Sequence, residues 1–273
     1  MLAPKLELPP PFTLVTLREV GDAFAHAVKV APEQGAGTLV YVGRFDLAEF
    51  AVVLEPDEPL RTARRALYTG MTALVDALLA FAPPEKPIAI DWTDAIRIDG
   101  GLVGGGRLAW PKGAREDEQP DWLVFGGMIR TVSMTGNDPG LHPMTSALEE
   151  EGFTDVAAAE LVASFARHLM VHIDALQEYG LGAVARAYLP RLPAESGVRR
   201  DIDENGDLLV RRMGAAVASS SAVRDATKKG LADVERRKLA PLLAVPSWLD
   251  SAGGRYFTRR PIEGRKLRNG SSA

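Results

Sequence analysis

The stretch Ile88–Leu108, IAIDWTDAIRIDGGLVGGGRL, taken with Asp121–Val132, DWLVFGGMIRTV, constrains this chain more than any other part of it. A short apolar run ends in Asp91-Trp92, a polar turn follows, and Ile96–Asp99 reads as a strand. Gly104, Gly105 and Gly106 interrupt the next strand, and Gly126-Gly127 interrupts the one after it. Glycine inside a strand pattern marks a bulge or a close approach by another backbone or a ligand. Two such places in neighbouring strands outline a surface shaped to accept something flat. Strand follows strand with no helix between them, so a parallel doubly wound sheet does not fit. The glycines are no dinucleotide fingerprint either, because Gly-x-Gly-x-x-Gly ahead of a helix is missing.

Around this β-rich centre the spacing predicts two long helices. In Pro59–Ala82, Leu60, Leu67, Met71, Leu74 and Leu78 form one apolar stripe, and Pro83-Pro84 ends it. In Asp155–Tyr179, Val156, Leu161, Phe165, Leu169, Ile173 and Leu176 form a second, with Thr154 or Asp155 as N-cap and Gly180 just beyond the end. Leu17–Ala31 reads as a shorter helix stopped by Pro32, Thr38–Val42 and Phe50–Glu55 as strands, and Val184–Leu192 as a short helix. Lys112–Gln119 is an exposed hairpin loop and Asn137–Pro143 a turn-rich connection. Pro193–Arg200 reads as a linker. Beyond it, Asn205-Gly206 within IDENGDLLVR is a hairpin signal. Ser219–Leu243 is polar and helical in part, and Pro261–Ala273 is basic and Gly/Ser-rich. The expected fold class is α+β: a mixed sheet with the long helices on one face, over residues 1–192. A small β-containing C-terminal domain spans 200–260, and a flexible tail spans 261–273.

The 273 residues include no cysteine, which removes disulfides, thiolate metal sites and covalent cysteine chemistry. The net charge of −4 gives no support to a nucleic-acid partner. No apolar stretch approaches the roughly 20 residues that cross a bilayer, and MLAPKLELPPPF lacks the apolar core of a signal peptide. The expectation is a cytoplasmic protein without membrane or nucleic-acid partners.

DWTDAIRIDGGLVGGGRL resembles the signature of the biotin/lipoate protein ligases. There a Lys-Trp-Pro-Asn-Asp stretch leads through a short strand to a Gly-Arg-Lys turn and a glycine-containing strand. DWLVFGGMIRTV is similar to the later Gly-x-Gly-x-Asn strand, and Asp46–Pro56 to the strand after the family's Gly/Arg-rich loop. Pro59–Leu79 resembles the helix before Lys-Trp-Pro-Asn-Asp, and IDENGDLLV the start of the small β domain many members carry. The resemblance covers about residues 12–190. It implies ATP, with Mg, and biotin or lipoate as substrates, joined as an acyl-adenylate and passed to a lysine of a biotinyl or lipoyl carrier domain.

The sequence departs from that pattern wherever positive charge is needed. Leu102 stands at the lysine position, Asp91 replaces the lysine before Trp92, Thr93 the proline after it, and Arg130 the asparagine of the later strand. The Gly/Arg-rich loop shrinks to about Gln34–Phe45, with Arg44 its one arginine. The resemblance therefore implies Gly43, Arg44, Trp92, Asp94, Gly104, Gly105, Gly106, Gly126 and Gly127 as ligand-binding, with Arg107 and Arg130 as substitute catalytic cations. Trp92, Gly104–Gly106, Gly126 and Arg44 should line one concavity. Each has an ordinary role beside it: bulge glycines, a core tryptophan, solvated arginines, a turn-capping aspartate. His168 and His172 stand four apart on a helix without a third ligand, which favours packing over a metal site. Three readings stay open: a ligase with relocated charges, weak or inactive; a non-catalytic module binding a small carboxylic acid, a nucleotide or a carrier domain; or a sheet whose pocket is filled by side chains.

Overall fold

A computed structural model describes residues 6–133, 145–154, 156–212 and 234–250. Seven strands form the main sheet: β1 (Thr13–Leu17), β2 (Thr38–Val42), β3 (Leu47–Leu54), β4 (Ile88–Asp91), β5 (Ala95–Ile98), β6 (Gly101–Ala109) and β7 (Leu123–Arg130). Their order is β1-β2-β3-β7-β6-β5-β4. β1 runs parallel to β2, and every other pairing is antiparallel. The fold is the expected α+β, and the four strands foreseen between residues 88 and 132 are all present.

Side-chain alternation gives the sheet two apolar faces. One face carries Val40, Val42, Ala51, Val53 and Val124 and packs against Ala23, Ala27 and Ala31 of α1 (Ala23–Gln34). The other carries Leu39, Phe50, Val52, Phe125 and Ile129. It packs against α3 (Ala66–Leu79), α4 (Ala158–Tyr179) and α5 (Leu181–Tyr188). The two long helices thus share one face, as their stripes predicted, and the shorter α1 covers part of the opposite one.

Boundaries moved where packing overrode local pattern. Leu17 belongs to β1, and α1 starts after Asp22, whose carboxylate accepts from Ala25 N at 2.9 Å. Pro32 sits within the last turn of α1, which ends at Gly35. The helix expected over Pro59–Ala82 is two pieces, α2 (Leu60–Ala63) and α3, parted at Arg64-Arg65, where Leu67 N and Tyr68 N donate only three residues back to Arg64 O and Arg65 O and the Arg64 guanidinium pairs with Glu116 of the β6–β7 loop. α4 starts after Ala157, with Glu160 reaching back to Ala157 N; Asp155 lies outside the described residues. Gly180 ends α4 at φ 65°, as expected.

A second sheet follows, β8 (Val198–Ile202), β9 (Leu208–Arg212) and β10 (Val234–Arg237), in the order β10-β9-β8. The foreseen Asn205-Gly206 turn joins β8 and β9, with Gly206 at φ 84°. β8 begins inside the stretch read as a linker. Of Ser219–Leu243, the described part is β10 and a 3-10 turn at Ala240–Ala244, followed by α6 (Ser247–Asp250). Asn137–Pro143 and Pro261–Ala273 lie outside the described residues. Ile202, Leu208, Val210, Leu239 and Leu243 join the same buried cluster as α3 and α5. No helix among the described residues is long and apolar enough to cross a membrane.

Candidate functional site

The glycine strand is bulged as its sequence implies. Ile96 pairs with Gly104 but Arg97 pairs with Leu102, so Val103 is the extra residue. Gly104 has φ 151°, and a Cβ there would lie 1.9 Å from Met128 O. Only glycine permits that approach of β6 to β7.

The neighbouring glycines alternate between the two faces. On the α3–α4 face, a Cβ on Gly106 would strike Met71 and Phe125, and one on Gly127 would strike Phe50. On the α1 face, a Cβ on Gly126 would strike Phe24, and one on Gly105 would meet Asp94 O at 2.0 Å and Trp248 Cδ1 at 2.5 Å. Rings or a sulfur of this chain already occupy the space that four of the five glycines open.

The α1 face therefore divides into two parts. α1 covers the part over Ala51, Val53 and Val124. Beyond the start of α1, Leu47, Ala95, Leu102 and Met128 form a separate apolar floor, and Trp248 of α6 lies on it at 1% exposure. Trp248 Nε1 donates to Gly106 O at 2.8 Å. Beside it, the Asp94 carboxylate accepts from Ser247 N at 3.1 Å and from Ser247 Oγ. Burial pushes the Asp94 carboxyl above its ordinary range, although the Ser247 bonds pull the other way.

Charged groups gather between the two parts. Glu49 interrupts the apolar run of β3, is 4% exposed, and accepts from Ala23 N at 3.0 Å where α1 begins. The positive end of the helix suits that carboxylate. The Arg107 guanidinium stacks 4.0 Å from the centre of the Phe24 ring and lies 3.5 Å from Asp22. Desolvation lowers its pKa, while Asp22 and Glu49 oppose that shift. Arg44 at the β2–β3 turn donates to Asp46 at 2.8 Å, and that bond holds it charged, with Glu49 and Glu19 adding to the effect. Arg130 ends β7 at 8% exposure.

The expected single concavity is thus only partly assembled. Gly105, Gly126 and Arg107 share the α1 face, and Arg44 feels the same Glu49. Gly106, Gly127 and Trp92 do not join them. Trp92 packs with the opposite core, its Nε1 donating to Tyr68 Oη at 3.3 Å. Gly43 and Arg44 line a separate groove of about 1280 Å³ with Tyr41, Phe45, Thr131 and Phe153. Asp94 sits at the turn foreseen for it, and its carboxylate accepts from Ser247. The aromatic ring on the glycine strand comes from Trp248, which sequence reasoning missed, as it missed Glu49. Both left a signal: a Trp-Leu pair after a proline in PSWLD, and one carboxylate inside LAEFAVVL. His172 is a packing group, 2.7 Å from Asp76, and among the described residues no set of three or more His, Asp or Glu is arranged to hold a metal.

Comparison with solved structures finds the same architecture. A biotin protein ligase-like protein of unknown function from a Silicibacter species is 28% identical with a TM-score of 0.69, covering 88% of this chain and 99% of that one. The apo biotin protein ligase of Aquifex aeolicus is 14% identical with a TM-score of 0.58, covering 74% and 92%. The same Aquifex enzyme in complex with biotin and ATP gives 13% identity and 0.57, covering 82% and 94%. No curated protein matches the sequence. The model of the biotin/lipoate A/B protein ligase family matches residues 8–190, which include the whole seven-stranded sheet and α1 to α5, and the chain therefore belongs to that family.

Proposed function

We propose that this protein is a biotin/lipoate protein ligase-like protein in which ATP-dependent attachment of biotin or lipoate to a carrier lysine is weak or lost, its cleft being kept for a small carboxylic acid. The observation that carries this reading is Leu102. The resemblance puts a lysine there, and Leu102 is 3% exposed within an apolar floor. Adenylate formation needs positive charge against the phosphate oxygens, and removing one well-placed stabiliser costs about two to three orders of magnitude in rate. The nearby arginines have other bonds: Arg44 to Asp46, Arg97 to Asp91, and Arg107 against Phe24 with Asp22 beside it. Arg107, two residues from Gly105 on the same face of β6, is the cation we assign to a carboxylate. ATP would bring its Mg²⁺ on its own phosphates.

Pyrophosphate release with ATP, Mg²⁺ and either biotin or lipoate tests the reading. The expected result is release at or near background. Rapid ATP-dependent labelling of a biotinyl or lipoyl carrier lysine would overturn it. Mutating Arg44, Arg107 and Arg130 singly would then identify the substitute cation.

A further inference from the structure

We infer that Pro246–Leu249 is an internal plug of this cleft, and that Trp248 must leave the hollow over Gly105 before an acid can enter. The inference rests on the proposed reading of the cleft as an acid site. Its own support is geometric.

The hollow exists because Gly105 lacks a side chain; Asp94 O closes one side of it and the Trp248 indole lies over the rest. A Cβ on Gly105 would meet Asp94 O at 2.0 Å and the indole Cδ1 at 2.5 Å, so the bare glycine lets the indole lie against the strand, with its Nε1 bonded to Gly106 O. Leu47, Ala95, Leu102 and Met128 wall it in, and Leu249 packs beside them. A flat ring with an N–H donor is therefore accommodated on an apolar floor one strand position pair from Arg107. A ring-bearing carboxylic acid placed with its carboxylate toward Arg107 would need the volume that the indole holds.

The attachment is small and local. Besides the indole and the Leu249 side chain, the two Ser247 donors on the Asp94 carboxylate hold the plug in place. Pro246 and the 3-10 turn before it join the plug to β10, so opening requires movement of a short α6 rather than of a sheet strand. Asp94 and Ser247 act as the clasp, and Trp248 as the stopper. A site whose open form is a minor population binds with its intrinsic affinity multiplied by that fraction, so weakening the plug raises affinity without adding a contact to the ligand.

Calorimetry on the full chain with biotin, with lipoate and with a non-hydrolysable biotinyl-adenylate analogue tests this. Trp248→Ala should bind at least one of the three roughly tenfold or more tighter than the native protein. Ser247→Ala removes only the hydroxyl donor and keeps the core intact; it should give a smaller gain in the same direction, which guards against misfolding of the larger variant. In native protein labelled with fluorotryptophan, saturating ligand should move the Trp248 resonance, identified by its loss in Trp248→Ala, to the position of an exposed indole. Equal affinity in the native protein and both variants would overturn the plug and leave the acid-binding reading standing. Failure of all three ligands to bind any form would overturn that reading, and the inference with it.

Discussion

Leu102 shows how one residue sets the chemistry of its surroundings. It touches the floor formed with Ala95 and Met128, beneath Trp248, at 3% exposure. An ammonium introduced there gives up its proton more readily than it keeps it, since desolvation disfavours the charged form. Leu102→Lys should therefore fail to supply the missing cation. We expect a loss of about 2–4 kcal/mol in stability, seen as a lower urea midpoint at unchanged slope, and no gain in pyrophosphate release. Release restored by this single change would show that the floor tolerates a charge and that the cleft is closer to an active one than its packing indicates. The glycines next to Leu102 were legible as a bulge and as close approaches. What approaches them was not legible, because Phe24, Phe50 and Trp248 come from positions far away in sequence, and only the folded sheet brings them there.

Among the elements, α3, α4 and the 3-10 turn at Leu189–Arg191 are clasped by one carboxylate. Asp76 accepts from His172 at 2.7 Å and from Arg191 at 2.5 Å. Burial alone would raise the Asp76 pKa, but the His172 hydrogen bond and the charges of Arg191, His172 and His168 outweigh it and hold the carboxyl below its ordinary 3.8. A folded-state pKa below the unfolded one gives stability that is present above that value and is lost as pH falls through the folded value. Asp76→Asn should cost roughly 1–2 kcal/mol at neutral pH. The native and variant stability curves should converge as pH drops below 3.8. A difference that persists unchanged in acid would remove the carboxylate from this role. The apolar stripes of α3 and α4 could be read directly, since period 3.6 is local information. The break at Arg64-Arg65 could not be, because the partner of Arg64 there, Glu116, lies far away in sequence on the β6–β7 loop. β1 was missed for a similar reason. TLVTL is short, half exposed and paired in parallel with a strand beyond α1, so nothing local distinguishes it from the lead-in to a helix.

For the molecule as a whole, the described part of the chain after Val198 meets the main sheet on both of its faces. On the helix side, Tyr68 Oη donates to Gly206 O at 2.6 Å, and Arg65 reaches Glu204 O at 3.2 Å. On the α1 side, α6 lies on the glycine strand. Residues of β8, β9 and the following 3-10 turn share a buried cluster with α3 and α5, so their apolar surface is removed from water only when both parts are folded. Unfolding should then be a single transition: loss of helix by circular dichroism and exposure of tryptophan by fluorescence should coincide across a urea series. Tyr68→Phe leaves the Gly206 carbonyl without its buried donor and should lower stability by about 1–2 kcal/mol while keeping the two probes coincident. Should the variant instead split the curves, with the fluorescence change of Trp248 preceding the loss of helix, the C-terminal part would be a separately folding unit held on by this contact. In that case the cleft over Gly105 would open whenever that unit melts, and ligand affinity would rise with mild denaturant before the main sheet unfolds.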